Sequence, residues 1–142
     1  MNRTIINAQT GQVTIEALTP AEIAANQPTL EQTQSAKLRE SEAAYQAAIT
    51  APITYMGTTF QADTGSQDTL AKTLTTLNAS GAVPPGFTWW DEANNAVPMN
   101  LAQLTGLAGV MLERGWTAFA NKQAKKDQVN AATTVEQVDS VV

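Results

Sequence analysis

The stretch from Ile53 to Leu104 constrains the fold of this chain more than any other. Turn-forming residues cut it at short intervals: Gly57, Gly81, Pro84-Pro85-Gly86, Asn94-Asn95 and Pro98. Between them there is room for short strands and one helix of moderate length. Five of the eight aromatic residues, Tyr55, Phe60, Phe87, Trp89 and Trp90, fall inside it, so a core can form here. Ile53 to Ala62 is expected to form a hairpin turning at Met56-Gly57 or Gly57-Thr58, with Tyr55 and Phe60 meeting across it. Asp63, Thr64 and Ser66 offer capping oxygens to a helix that carries Leu70, Leu74 and Leu77. Gly81 is placed to stop that helix, whose leucines should cover one face of the strands. Phe87 to Trp90 forms a third strand, and alternation sends Trp89 and Trp90 to opposite faces. One packs under the leucines; the other is covered by the N-terminal helix or serves as an interface anchor. Asp91 to Asn95 is turn chemistry. Val97-Pro98-Met99 suits an edge strand, where proline is tolerated.

The flanks are simpler. Arg3 to Ala17 has the pattern of a β-hairpin, with Ile5 and Ile6 before the turn, Val13 and Ile15 after it, and Gly11 closing the loop. A lone hairpin is marginal in water, so this one is expected to dock on its own domain or on another chain. Thr19-Pro20-Ala21-Glu22 is a helix start with a capping box, and Pro28 keeps that helix short. Thr29 to Ile49 is helical again, with Leu30, Leu38, Tyr45 and Ile49 on one side; the stripe suits core packing or a seam between chains. Ala51-Pro52 ends it. Asn100 and Gln103 open a longer helix whose apolar residues, Trp116 and Phe119 among them, hold the helical period to about Lys122. Its glycines, Gly106, Gly109 and Gly115, each cost about 1 kcal/mol relative to alanine, which suggests a close approach along that side. Lys125 to Ala132 is a further helical segment. A restart at Thr133 or Thr134 then puts Val135, Val138 and Val142 in line.

The expected class is therefore α+β: a small antiparallel sheet of short hairpins packed against helices, with an N-terminal hairpin and helix extension and a C-terminal helix. Residues 1–50 form the extension, 51–121 the compact core and 122–142 a helical tail. Hydrophobic residues make up 43% of the chain. Many are alanine, so the apolar supply is modest and part of the chain is expected to pack against a partner.

With neither cysteine nor histidine, the chain has no disulfide, thiol nucleophile or histidine-dependent triad. The pairs Asp63/Asp68 and Asp91/Glu92 are better explained by capping and turn formation than by acid–base work. Ser66 and Lys72 are six apart and do not share a helical face, and no spacing resembles a calcium loop. No catalytic residue, cofactor or metal is expected, and the protein is expected not to be an enzyme. A net charge of −5 with scattered cations argues against nucleic acid. No run is long and apolar enough to span a membrane, and no signal-peptide core follows Met1.

Tyr55-Met56-Gly57-Thr58-Thr59-Phe60-Gln61-Ala62-Asp63 followed by Ser66-Gln67 resembles the G-x-x-F-x-A-D-x-x-S-Q opening of an uncharacterised domain family of phage tail modules. That opening is followed in the family by a helix, a Trp strand, an Asn turn, a short Val strand and a helix. Here Trp89-Trp90, Asn94-Asn95-Ala96-Val97 and Leu101 to Leu112 keep that order, and the segment from Lys125 to Glu136 is similar to the family's end. The similarity spans about Leu38 to Val142; the Pro84-Pro85-Gly86 loop departs from it. The resemblance implies a tail fibre assembly or tail accessory protein, located in the virion tail or in the host cytoplasm during assembly. Its expected partner is a tail fibre or baseplate protein, with a homo-oligomer as a further possibility. The alternatives are a structural component, an assembly chaperone, and a carbohydrate-binding module built on a Trp platform. Candidate contact residues are Ile5, Ile6, Val13, Ile15, Trp89, Trp90, Trp116 and Phe119.

Overall fold

Among the described residues, 2–142 of a computed structural model, each helix begins at a capping side chain. Thr19 and Glu22 form a capping box on α1 (Pro20–Ala25), and Thr29 and Gln32 form one on α2 (Leu30–Thr50). Asp63 accepts from the Ser66 amide to start α3 (Thr64–Ser80), which Gly81 ends in the left-handed conformation. Asn100 and Gln103 box the start of α4 (Leu101–Ala131), and Thr134 caps α5 (Val135–Asp139). Such caps satisfy amide groups that a helix start leaves without partners.

The chain is α+β, and its strands form three two-stranded antiparallel ladders. β1 (Asn2–Ile6) pairs with β2 (Val13–Ala17), β3 (Ile53–Tyr55) with β4 (Thr58–Phe60), and β5 (Thr88–Trp90) with β6 (Ala96–Pro98). The ladders do not merge into one sheet. Three-residue strands and the missing donor of Pro98 leave little backbone to extend them; one bond, from the Glu92 amide to the Thr59 carbonyl at 2.9 Å, links the second to the third. Met56 and Gly57, both at positive φ, make the tight turn between β3 and β4. The register corrects the expected aromatic pair. Tyr55 stands opposite Thr58 and Phe60 opposite Ile53, so the two rings are diagonal neighbours on one face.

Two apolar clusters lie along α4. The larger buries Phe60, Leu70, Leu77, Met99, Leu104, Leu107 and Met111 where α3 and the two short ladders meet the first half of the helix. The smaller buries Val129, Val138 and Val141 against Leu30 and Leu38 of α2. The expected interruption of α4 near Lys122 does not occur. No proline or glycine falls between Thr117 and Ala131, and the helix runs about 46 Å unbroken. Residues 121 and 122, where core and tail were divided, therefore sit mid-helix. The valine line is corrected as well: Val141 is buried and Val142 is 95% exposed.

The α2 stripe packs within the chain, antiparallel along α4 and against α5. Each long helix satisfies the other's C-terminal carbonyls. Gln34 of α2 donates to Val129 and Ala132 at 3.0 and 3.2 Å. Arg114 of α4 donates to Ala51 and Ile49 at 2.6 and 2.8 Å. The guanidinium thus sits at the negative end of the α2 dipole.

Candidate protein-docking interface

Leu112, Trp116 and Phe119 recur at helical spacing and form one stripe of α4. The fold leaves that stripe uncovered. Leu112 is 75% and Trp116 70% exposed, while Leu104 and Leu107, nearer the start of the helix, are fully buried. Phe119 meets Tyr45 of α2 edge-on with centroids 6.4 Å apart, and lies 6.3 Å from the Trp116 ring. Lys122 places its Nζ 4.1 Å from the centre of the Tyr45 ring and 3.0 Å from Glu42. Hydrogen bonds from Gln46 and then Lys122 hold the Glu42 carboxyl below its usual range. Beside the stripe runs an apolar groove of about 470 Å³, lined by Ile49, Leu74, Leu112, Gly115 and Trp116 among others.

The hairpin is a second exposed surface. Its register puts Ile6, Val13 and Ile15 on one face, while Ile5 lies on the other with Arg3 and Glu16. No residue of either strand is buried. Arg3 bridges Glu16 at 2.9 Å and also pairs with Glu22 of α1. Trp89, opposite Val97, packs on the larger core, whereas Trp90 is 59% exposed. Trp90 lies outside the α4 groove and stands on a three-residue strand. Of the residues expected at an interface, the fold brings Trp116 and Phe119 together and leaves the hairpin and Trp90 as separate surfaces. Leu112 and Tyr45 belong to the α4 surface and were not among them. The signal for Leu112 was present in the four- and three-residue spacings, but α4 is apolar on more than one side, and period alone does not say which stripe is covered.

A further groove of about 510 Å³ lies between α2 and α4. Arg114 and Lys122 line it, with Lys125 and Ser41 toward its far end. Burial pushes the Arg114 guanidinium below its ordinary pKa, although it stays charged.

Of the carboxylates singled out for possible chemistry, Asp63 and Asp91 are engaged locally. Asp63 accepts from the Ser66 hydroxyl at 2.6 Å and the Ser66 amide at 3.1 Å, which hold it below the usual carboxylate range. Asp91 accepts from the Asn95 amide at 2.7 Å and its side chain at 3.0 Å, with the same effect. Among the described residues no group of three or more acidic side chains could hold a metal ion. None of the described helices is long and apolar enough to cross a membrane.

A family model described as a domain of unknown function, DUF4376, matches residues 32–142. The matched span takes in nearly all of α2 and the whole α4 surface, and leaves the hairpin and α1 outside. No curated protein and no solved structure matches the chain.

Proposed function

The chain belongs to the DUF4376 family across most of its length, and we propose that it is a non-enzymatic phage tail protein that binds the tail fibre or baseplate. The observation that carries a docking role is the uncovered stripe of Leu112, Trp116 and Phe119 beside an apolar groove. A contiguous apolar surface on a folded protein marks an interaction site, and tryptophan is enriched among residues that dominate binding energy. The phage-tail setting rests on the resemblance of Gly57 to Gln67 and of the Trp, Asn and Val segments that follow. The hairpin, with Ile6, Val13 and Ile15 on one exposed face, supplies a second contact.

Two measurements test the reading. Mass spectrometry of purified particles is expected to find the chain in fixed copy number. A pull-down with purified fibre and baseplate proteins is expected to retain the chain and to lose it on Trp116→Ser with Phe119→Ser. Binding to free fibre by a chain missing from particles would make it an assembly chaperone. Absence from particles together with no fibre or baseplate binding overturns the proposal.

A further inference from the structure

The groove between α2 and α4 gathers three of the chain's eight cationic side chains. The chain carries a net charge of −5 with eight cationic side chains, yet Arg114, Lys122 and Lys125 all line this one groove. Arg114 and Lys125 lie eleven positions apart on one face of α4, about 16 Å along the helix. Glu113 is the one acidic residue that also lines it. Neither Arg114 nor Lys125 makes an ion pair among the described residues, although Arg114 donates to the Ala51 and Ile49 carbonyls; Lys122 pairs with Glu42.

A second observation is independent of charge. Ser41 is 8% exposed, and its Oγ has no hydrogen-bond partner among the described residues; the same holds for Arg114 Nε. These two are the buried side-chain polar atoms left unpartnered there, and both residues line this groove. Six helical threonines, Thr33, Thr50, Thr69, Thr75, Thr76 and Thr105, donate to the carbonyl four residues back. Ser41 does not make that bond. A buried polar group without a partner is costly, and a ligand that supplies an acceptor removes the cost. Ala44, Ala48 and Ala118 leave the space for it.

We propose that this groove binds an extended acidic segment of a partner protein, its carboxylates meeting Arg114 and Lys125 and an acceptor oxygen meeting Ser41 Oγ. About five extended residues match the distance between the two cations. The proposal deepens the docking role above by assigning a chemistry to the partner, and it uses a different face from the Trp116 stripe.

The test uses the full chain and a fluorescein-labelled pentaglutamate peptide, read by fluorescence anisotropy, with pentaglutamine as the neutral control. Pentaglutamate is expected to bind, and pentaglutamine not. Lys125→Gln weakens binding about tenfold, the loss of one charge-assisted contact. Lys72→Gln, on α3 and outside the groove, changes it less than about twofold. Ser41→Ala weakens binding severalfold without lowering the thermal midpoint, which separates lost contact from lost fold. No binding near millimolar peptide, or equal losses for Lys125→Gln and Lys72→Gln, overturns the assignment. So does displacement by free citrate or inorganic phosphate at the concentrations at which the peptide itself binds, since the groove would then take a free anion. These outcomes do not depend on the particle mass spectrometry or on the Trp116 variants, so the two proposals fail separately.

Discussion

The ring of Tyr55 lies directly against the backbone of Gly106, with its Cζ 2.8 Å from where a β-carbon on that residue would stand and its hydroxyl oxygen closer still. A glycine in mid-helix is therefore the seat of an aromatic side chain from the β3–β4 ladder, and this contact ties that ladder to α4. Gly109 and Gly115 face open space. Alanine should then act in opposite directions on one helix. Gly106→Ala is expected to destabilise by about 1–3 kcal/mol through overpacking, whereas Gly109→Ala and Gly115→Ala stabilise by up to about 1 kcal/mol. Adding Tyr55→Phe to Gly106→Ala should recover part of the loss. Urea midpoints decide it, and destabilisation of equal size at the three positions would show that the ring is not seated there.

The buried and exposed leucines of α4 make a second contrast. Leu104 and Leu107 are fully buried, and replacing either with alanine should cost about 2–5 kcal/mol. Leu112→Ala and Trp116→Ala, a few turns away, should stay within about 0.5 kcal/mol of the parent because no core contact is lost. Chemical denaturation measures both. A large loss at Trp116 would mean that the exposed stripe is covered in solution.

Asp63 links stability to pH. Hydrogen bonds from the Ser66 hydroxyl and amide lower its folded pKa below the ordinary value. Its contribution is therefore complete above the ordinary carboxylate pKa and is lost as pH falls through the lower folded value. Asp63→Ala should lower the thermal midpoint at neutral pH, and the gap from the parent should close toward about pH 2 as the parent's carboxylate takes up its proton. A gap that is the same at both ends would show that the charge of the cap contributes nothing.

The hairpin should be separable from the fold. Its strands bury no residue, and its tie to α1 is the exposed pairing of Arg3 with Glu22. Removing residues 1–17 is expected to shift the thermal midpoint by less than about 3 °C, while reducing association with the fibre protein in a pull-down. Unchanged association would remove the hairpin from the docking surface.

What was legible in the sequence was local. Thr19 with Glu22, Asn100 with Gln103, and Gly81 each act within one turn of their own position, so residue type and spacing suffice to place them. Arg114, Gln34 and Gln67 instead donate to carbonyls 18 to 98 residues away. Such contacts leave no periodic trace. The continuous α4 was missed because its apolar period fades after Phe119, although nothing in Asn121 to Lys126 breaks a helix; α2 and α5 supply the contacts that the period lacked. Of three helical glycines that suggested a close approach, only Gly106 has one, and its partner comes from a strand far earlier in the chain. The Ser41 and Arg114 groove was likewise invisible, since it exists only once α2 lies along α4.

The last test concerns the smaller cluster, which rests on few side chains. Val129, Val138 and Val141 pack on Leu30 and Leu38, and α5, at five residues, is too short to persist as a helix alone. Burial of Val138 is therefore what keeps α5 in place. Val138→Ala should cost about 1.5–3 kcal/mol, from two lost methyl groups and the cavity they leave. Val142→Ala should stay within about 0.5 kcal/mol, because that side chain touches little. Hydrogen exchange separates local from global effects. In Val138→Ala the amides of Val138 and Ser140 should lose protection first, while Leu104 and Leu107 keep theirs. If the Leu104 and Leu107 amides lose protection to the same extent, the two clusters open as one unit and α5 is not an independent latch on the α2–α4 pair.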